Sequence, residues 1–444
     1  MKSFRAFNAL LLAGCGIGAW LTATVGANAG GFAIREQSAY GQGTSFAGIA
    51  AGGDLSGMFW NPAVMTQFAG IQMSETATAI FPYAANTPTA GTWLGFGGTS
   101  NIGDSALVPS GSFSYQLNPN LWLGMSLNSP FGLSVSFPDM WAGRDYAAGD
   151  THLRTYNATP SIAYRINDWI SVGVGVQIQY ADAQLGHGVT GVIPGVGAFP
   201  VGDAILGGTG WGYGFTAGVT LTPTPTTTVG LGYRSAIDQK ISGTLILPIL
   251  VGPTVGADTT INLPDMVSLG VRQRLNPQLT LLGTVEWTNW SRIGTSVISA
   301  PPLPASPTLT LPFQYQDGWF FSVGAEYQAS DRLTLRTGFG YEISPITDDV
   351  RTPVIPDNDR IWASIGASWV IGKGLVADLA YSHLFVNSPN VNISAASGNP
   401  WFATSGGVTY VGDVSAHVDI LSLGIKYRFD EPAPPPAKSG LYHK

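Results

Sequence analysis

The sequence contains unusually little charge. Only 11% of its 444 residues are Asp, Glu, Lys or Arg, whereas soluble globular proteins carry about 25%. It also lacks any uninterrupted apolar run of about 18 residues, the length at which a membrane-spanning helix is expected, and this excludes a helical membrane bundle. The net charge of −7 provides nothing that would attract a nucleic-acid backbone. A large β-rich protein with apolar side chains on its surface is consistent with these absences.

Cysteine is almost absent, and the single Cys15 lies close to the amino terminus. Two basic residues in the first five, an apolar stretch over 9–21 and the small residues of Ala27-Asn28-Ala29 predict a secretory signal peptide that is cleaved after Ala29. A second interpretation stays open, because Leu12-Ala13-Gly14-Cys15 is similar to a lipoprotein processing box and would leave Cys15 lipidated. The rest of the chain can form no disulfide.

From residue 71 onward, apolar residues alternate with small or polar ones. In 210–222, for example, Trp211, Tyr213 and Phe215 are separated by glycines. A period of two sends alternate side chains to opposite faces of a sheet. A soluble β-sandwich and a transmembrane β-barrel would both show this alternation, so it does not discriminate between them.

The connections between the alternating segments favour the barrel. Short turns such as Asn118-Pro119-Asn120 alternate with long loops near 83–104, 138–151, 186–209, 244–258, 294–316, 345–358 and 387–414. Bacterial outer-membrane barrels have short turns on the periplasmic side and long loops outside. Aromatic residues near strand ends also resemble the girdles at the two lipid interfaces; they are Tyr115, Trp122, Trp169, Trp287, Trp290, Trp319, Tyr427 and Phe429.

We therefore predict an all-β, antiparallel transmembrane β-barrel of about 14 strands, with both chain ends on the periplasmic side. The predicted strands are 71–82, 105–117, 121–137, 152–166, 169–185, 210–222, 227–243, 259–275, 278–293, 317–329, 332–344, 359–371, 375–386 and 415–429.

The last predicted strand, 415–429, ends in the segment 422–429, which has alternating apolar residues and a terminal Phe429. This pattern resembles the signal that the barrel assembly machinery reads, although an ordinary amphipathic strand would look similar. The Pro-rich residues 430–444 are predicted to form an extended periplasmic tail.

Residues 30–70 do not alternate and are rich in Gly and Ala. The opening Gly30-Gly31-Phe32-Ala33-Ile34-Arg35, the later Asp54 and the Asn61-Pro62-Ala63 sequence resemble the N-terminal hatch of the FadL/TodX family. The similarity extends through Trp141-Ala142-Gly143-Arg144 to the final strand. It implies a signal peptide over 1–29, a hatch over 30–70 that plugs the lumen, a barrel over 71–429 and the tail. It also implies passive uptake of hydrophobic molecules.

The predicted loops at 186–209 and 244–257 are candidates for substrate capture, because an exposed apolar patch usually marks a binding site. Their apolar residues are Val192, Ile193, Phe199, Val201, Ile205, Leu206, Leu245, Ile246, Leu247, Ile249 and Leu250. The alternative is that the two loops only cover each other.

The third predicted strand contains Pro130, Phe131 and Gly132. Proline cannot donate a ladder hydrogen bond, and in the family a kink in this strand opens the wall laterally. The strand could also simply end here and enter its loop.

Interior charges are expected to pair with one another or with the hatch. A fatty-acid carboxylate would need one spare cation, and the candidates are Arg234, Lys240 and Arg35, because residues 166–233 contain no Lys or Arg. The same gap leaves uptake of uncharged aromatic or alkane hydrocarbons open.

The five histidines show no metal-ligand spacing, and no G-x-S-x-G motif is present. We therefore expect no catalytic residue, no metal and no cofactor. The expected partners are hydrophobic small molecules, outer-membrane lipids and the assembly machinery, with no nucleic acid, for a monomeric protein. A general porin and an outer-membrane lipid hydrolase are the other functions to be tested.

Overall fold

The structure is a computed structural model that describes residues 30–193, 197–248, 254–300 and 309–430. Within these ranges the chain forms one antiparallel sheet that closes into a barrel of 14 strands, as the alternation predicted. The strands are β1 (Ile71–Gly91), β2 (Ala106–Asn118), β3 (Leu121–Asn128 and Gly132–Phe137), β4 (Gly149–Arg165), β5 (Ile170–Ile193), β6 (Gly197–Thr224), β7 (Thr227–Arg234 and Ile237–Ile246), β8 (Val255–Leu263 and Met266–Arg274), β9 (Leu279–Thr288), β10 (Gly318–Gln328), β11 (Leu333–Ile343), β12 (Arg360–Gly372), β13 (Leu375–Val386) and β14 (Tyr410–Arg428).

Shorter elements lie inside the barrel or in its connections. The short strands are Thr295–Ser299, Leu309–Pro312 and Asn390–Ile393, and the α-helices are Ala39–Gln42 and Trp401–Thr404. The 3₁₀-helices are Ile49–Ala51, Leu55–Phe59, Pro62–Gln67, Leu94–Phe96 and Trp290–Ile293. Among the described residues, no helix is both long enough and apolar enough to cross a membrane.

The first and last strands close the barrel. β1 pairs with β14 from Gln72↔Arg428 to Gly91↔Tyr410, and β14 pairs on its other side with β13. Closure pairs the backbone groups that an open sheet would leave at its edges, which is the requirement for a sheet in hydrocarbon.

The two faces of the wall differ in chemistry. Large apolar side chains such as Val323 and Phe339 are exposed on the outer face, whereas Ser112, Thr284 and Ser364 are buried on the inner face. Two of the aromatic residues assigned to the interfacial girdles are on the inner face instead, and that assignment was wrong for them. Trp122 packs against the interior segment 30–70, donating from Nε1 to the oxygen of Phe68 at 2.8 Å, and Trp290 is also buried.

The predicted loop 186–209 is largely strand. β5 and β6 continue past the predicted ends and remain paired, for example at Leu185↔Leu206 and Val192↔Ala198. A hairpin satisfies its own backbone hydrogen bonds in water, so these strands can extend beyond the part of the wall that meets lipid. The loop boundary placed at 186 was therefore wrong.

Residues 30–70 lie inside the barrel, as expected of a hatch, and most of them are buried. Their short helices are capped by side chains: Ser38, Asp54 and Asn61 each accept a hydrogen bond from the backbone N–H of the second or third residue of the following helix. The hatch main chain approaches the wall at glycines. A Cβ at Gly232 would collide with the Trp60 oxygen, and one at Gly218 would collide with the Asn61 side chain.

Candidate transport site

A cavity of about 520 Å³ opens at the outer end of the barrel, and we call it the vestibule. Apolar side chains from several strands line it, including Leu206, Leu245, Ile298, Leu309 and Phe313. Leu206 and Leu245 were among the predicted capture residues, one from each of the two loops, and the structure brings them to the same cavity.

The remaining predicted capture residues do not all share this position. Leu247 packs against the cluster around Leu245, while Phe199 and Ile246 are exposed, and Val201 and Ile205 are half-buried without lining the vestibule. Ile249 and Leu250 lie outside the described residues, and Val192 and Ile193 are described in their backbone only. The loops thus partly cover each other, and the face they share borders the vestibule.

Three aromatic side chains separate the vestibule from a second cavity, and we call them the aromatic partition. Phe32 of the hatch lies 4.8 Å from Trp290 and 6.2 Å from Phe131 between ring centroids, and Phe131 lies 6.1 Å from Trp290. Phe32 borders the vestibule, whereas Phe131 and Trp290 border the second cavity. The partition therefore combines the hatch, β3 and the connection after β9.

The second cavity, which we call the inner cavity, has a volume of about 60 Å³ and contacts Arg234. Arg234 ends the first segment of β7 and is 5% exposed. Its Nη1 donates to the Phe59 oxygen at 3.0 Å, its Nη2 donates to Gln177 Oε1, and its guanidinium lies 4.2 Å from the Phe59 ring. Among the described residues, no carboxylate lies within ion-pair distance of Arg234.

The other two candidate cations are placed differently. Arg35 lines the same cavity but is paired with Glu286 and, at 3.5 Å, with Glu342. Lys240 is exposed on the outer face, so its interpretation as an interior cation disagrees with the structure. The reason is a break at 235–236: odd-numbered residues such as Leu231 are exposed before it, and odd-numbered residues such as Ile241 are buried after it.

The wall also changes register at the predicted kink in β3. Asn128 pairs with Asn157 and Gly132 pairs with Arg154, so three residues of β3 oppose only two of β4. This extra residue is a β-bulge, and it reverses the two faces of the strand. Leu123 is exposed before the bulge, whereas Leu133 is buried after it.

A gap in the ladder accompanies the bulge. Residues 106–110 of β2 pair with β1 but form no ladder pair with β3 in the described chain, and pairing to β3 begins only at Gly111↔Leu127. Beyond the gap, 102–104 bridge to β3 again at Gly103↔Val135. We call the space between 106–110 and 128–132 the window.

The hatch supplies the backbone partners that the window lacks. Ile34 N donates to the Pro130 oxygen at 2.8 Å, and Gly132 N donates to the Phe32 oxygen at 2.9 Å. The Gln37 side chain donates to the Ser129 oxygen at 2.8 Å and accepts from Ser129 N at 3.2 Å. Gln37 was not identified from the sequence as a window residue. Its only distinguishing feature in the sequence is that it is polar and precedes the helix cap Ser38.

A charged network fastens the hatch nearer the periplasmic end of the barrel. Lys426 Nζ lies 3.1 Å from Asp54 and 3.0 Å from Asp378, and Arg336 lies 3.9 Å from the Tyr40 ring. Asp54, named from the hatch resemblance, thus binds the wall as interior charges were expected to do.

Burial raises the pKa of the hatch residue Glu36 to about 7.

The Asn61-Pro62-Ala63 sequence fastens the hatch through amide hydrogen bonds. Asn61 Nδ2 donates to the Ala50 oxygen at 2.8 Å and to the Val219 oxygen of β6 at 3.0 Å, while its Oδ1 accepts from Ala63 N at 3.0 Å. Pro62 opens the 3₁₀-helix that follows, and Ala63 is fully buried. The three residues therefore hold both the hatch fold and its contact with the wall.

A closed barrel with an apolar outer wall, a plugged lumen and an apolar vestibule defines the class of outer-membrane transport barrels. The family described as outer membrane protein transport protein (OMPP1/FadL/TodX) matches residues 20–429. The chain belongs to this family and is therefore an outer-membrane protein.

Individual relatives agree with this assignment. A long-chain fatty acid transport protein of Salmonella typhi is 29% identical over 395 residues, covering 82% of this chain and 89% of the relative. The crystal structure of a Pseudomonas aeruginosa FadL homologue superimposes with a TM-score of 0.81 at 24% identity, covering 90% of this chain and 100% of the homologue. The Pseudomonas putida toluene transporter TodX shares the fold with a TM-score of 0.68 at 15% identity, covering 90% and 100%.

Proposed function

We propose that this chain imports long-chain fatty acids passively, capturing them in the vestibule and releasing them sideways through the window. The observation that carries the choice of substrate is Arg234, a buried guanidinium that lines the inner cavity without a carboxylate partner in the described residues. The relatives include a long-chain fatty acid transport protein and a toluene transporter, so both charged and uncharged cargoes occur in the fold.

A buried cation that lacks an anion is costly, because water that would solvate it is excluded. The Phe59 oxygen and Gln177 satisfy part of the hydrogen-bonding capacity of Arg234 but do not neutralise its charge. A fatty-acid carboxylate could supply that charge, and its first alkyl carbons would contact Phe131 and Trp290, since a cavity of about 60 Å³ holds only the carboxyl end. Arg35 is a weaker candidate, since Glu286 and Glu342 already neutralise it.

The route follows from the order of the cavities. A fatty acid would enter the vestibule, pass the aromatic partition and reach the inner cavity, which is bordered by Pro130 and Phe131 at the bulge in β3. We propose that the window beside this bulge, once the hatch bonds there break, leads toward the outer face of the wall. An alkyl chain leaving there would enter the bilayer without crossing the aqueous periplasm.

The test compares the binding of a fatty acid and of the matched fatty alcohol to purified protein in detergent. Arg234→Gln should weaken fatty-acid binding by about 10- to 150-fold, since a hydrogen bond between charged groups is worth about 1.5–3 kcal/mol. Binding of the alcohol should change little. Arg272→Gln is the matched control, because Arg272 is another interior arginine but is paired with Glu326 at 2.6 Å.

Equal losses for the acid and the alcohol would contradict a carboxylate site at Arg234. Tight binding of aromatic or alkane hydrocarbons with no preference for the acid would instead favour an uncharged cargo. Swelling of protein-containing liposomes in sugar solutions would support a general porin, and release of acyl chains from phospholipid would support a hydrolase.

A further inference from the structure

The first described residues lie in an acidic corner of the barrel interior. Gly30 and Gly31 are both buried. Gly31 N donates to Asp357 Oδ2 at 2.9 Å. A Cβ added to Gly30 would collide with Glu342 Oε1 and lie 3.1 Å from the carboxyl carbon of Glu342, so the chain begins its hatch in direct contact with this carboxylate.

Negative charge exceeds positive charge in this corner. Glu286, Glu342 and Asp357 are each at most 5% exposed, and Glu36 is also buried. The cations that face them are Arg35, which pairs with Glu286 and Glu342, and Arg360, which pairs with Asp357. Even without Glu36, whose pKa burial raises to about 7, three carboxylates face two guanidinium groups.

Two carboxylate oxygens in this corner are unsatisfied, Glu36 Oε2 and Glu286 Oε2. Both are buried and have no hydrogen-bond donor among the described residues. Glu286 and Glu342 line the same inner cavity as Gly30. An additional cation with several N–H donors at Gly30 would therefore contact the Glu342 carboxylate and face the Glu286 carboxylate across the cavity.

We propose that this cation is the α-ammonium group of Gly30, released when the signal peptide is cleaved after Ala29, and that it docks the hatch by forming an ion pair with Glu342. Hydrolysis adds one water across the Ala29–Gly30 bond, leaving a carboxylate on Ala29 and an amine on Gly30. The amine takes up a proton because a free α-amino group has a pKa of about 7.7–8.0 and an adjacent carboxylate favours its charged form.

The consequence is that processing and hatch closure are linked. In the uncleaved chain, residue 30 offers one neutral amide N–H and no charge to this corner. In the processed chain, the ion pair holds the residues immediately ahead of Phe32 and Ile34. Phe32 belongs to the aromatic partition, and Ile34 bonds to the backbone at the window. The collision that any side chain at residue 30 would make with Glu342 agrees with glycine at this position.

The first test measures how fast the α-amino group reacts with a water-soluble N-hydroxysuccinimide ester at pH 7. The protein is the processed full chain, purified from outer membranes in detergent, and mass spectrometry identifies both the mature terminus and the labelled peptide. At this pH lysines remain protonated. We expect Gly30 to react at least about tenfold more slowly in the folded protein than in the denatured chain, the effect of one pKa unit.

Two variants separate the ion pair from general loosening of the interior. Glu342→Gln should raise the labelling rate several-fold toward that of the denatured chain. Glu326→Gln is the matched control, because Glu326 is another buried interior carboxylate that pairs with Arg272 and Arg336 away from Gly30, and it should leave the rate unchanged. Equal effects of the two substitutions, or none from Glu342→Gln, would overturn the proposal, as would a mature terminus at any other residue.

A third variant covers the case in which Glu342→Gln does not assemble. Inserting two glycines between Ala29 and Gly30 keeps all interior side chains and moves the ammonium by about 7 Å. Its α-amino group should label at the rate of the denatured chain, and unchanged protection would contradict the ion pair. These rates are measured without fatty acid, so they do not depend on whether the proposed cargo is correct.

Discussion

Deleting Pro130 should close the window while leaving the barrel intact. The bulge places three residues of β3 opposite two of β4, so removing one residue restores a regular register through Asn128↔Asn157 and Gly132↔Arg154. Without residue 130, the alternation of inward and outward side chains runs unbroken through β3. The residues on both sides of the deletion therefore keep the faces that they have now. The realigned strand would then be free to pair with 106–110 of β2.

The size of the effect follows from the hydrogen bonds at the window. The hatch now makes four bonds there, through Ile34, Phe32 and both polar atoms of Gln37. A ladder across 106–110 would replace them with a similar number, so the free energy of unfolding should change little. Paired strands lie only about 4.8 Å apart, so an alkyl chain would have to break about two to three ladder bonds at about 1 kcal/mol each. This would slow lateral exit about 30- to 150-fold.

The assay is uptake of a radiolabelled fatty acid by cells that carry the deletion, after heat-modifiable migration on gels has established that the barrel assembles. Binding to purified protein should fall much less than uptake, because Arg234 and the vestibule residues remain and only Pro130 is lost from the lining of the inner cavity. The matched control is deletion of Thr89, which removes another extra residue, at the Pro88/Ala90 register shift in β1, far from the window. An assembled deletion variant with normal uptake would refute the lateral route. Pro130→Val combined with Gly132→Val should have a smaller effect, since it leaves the extra residue in place.

Three further predictions concern the hatch. Asn61→Ala removes three hydrogen bonds and should destabilise hatch docking by about 1–3 kcal/mol, measured as increased leakage of sugars from liposomes. Gly232→Ala should lower the midpoint of thermal unfolding at a cost of about 1–3 kcal/mol, because its Cβ would strike the Trp60 oxygen, whereas Gly372→Ala, which meets nothing within 4 Å, should not. Deleting 30–62 should leave a folded barrel that conducts small hydrophilic solutes, since this segment adds no strand; a variant that fails to assemble or stays sealed would contradict this.

The alternation of side chains predicted the strands well because it reflects the two environments of the wall directly. It predicted all 14 strands, and most of the predicted ends that face the periplasm lie within one or two residues of those observed. It failed wherever a strand changes face part-way along. Nothing at 235–236 signals the break that turns Lys240 outward, because a register shift depends on how many residues the partner strand contributes. In β3, by contrast, Pro130 marked the position of the break but could not reveal the extra residue.

The candidate site was less predictable, since its contacts join residues far apart in the chain. Arg35, Lys240 and Arg234 looked equivalent in the sequence, and only the positions of Glu286 on β9 and Glu342 on β11 show that Arg35 is already paired. Trp290 was placed within the predicted strand 278–293 and resembled a girdle residue, whereas the observed strand ends at Thr288. Trp290 turns inward because the strand has ended and a short 3₁₀-helix begins at this residue.

The two ends of the route are closed by one short piece of hatch. Phe32 contributes its side chain to the aromatic partition and its backbone oxygen to Gly132, and Ile34 and Gln37 bond the adjacent backbone of β3. Phe131 lies on the bulge itself and contacts Phe32 across the partition. Because the same six residues close the partition and fill the window, displacing Phe32 from its aromatic neighbours would strain the bonds at the window as well. On the proposed route, we therefore expect entry to the inner cavity and exit through the wall to be coupled by the length of the segment 32–37.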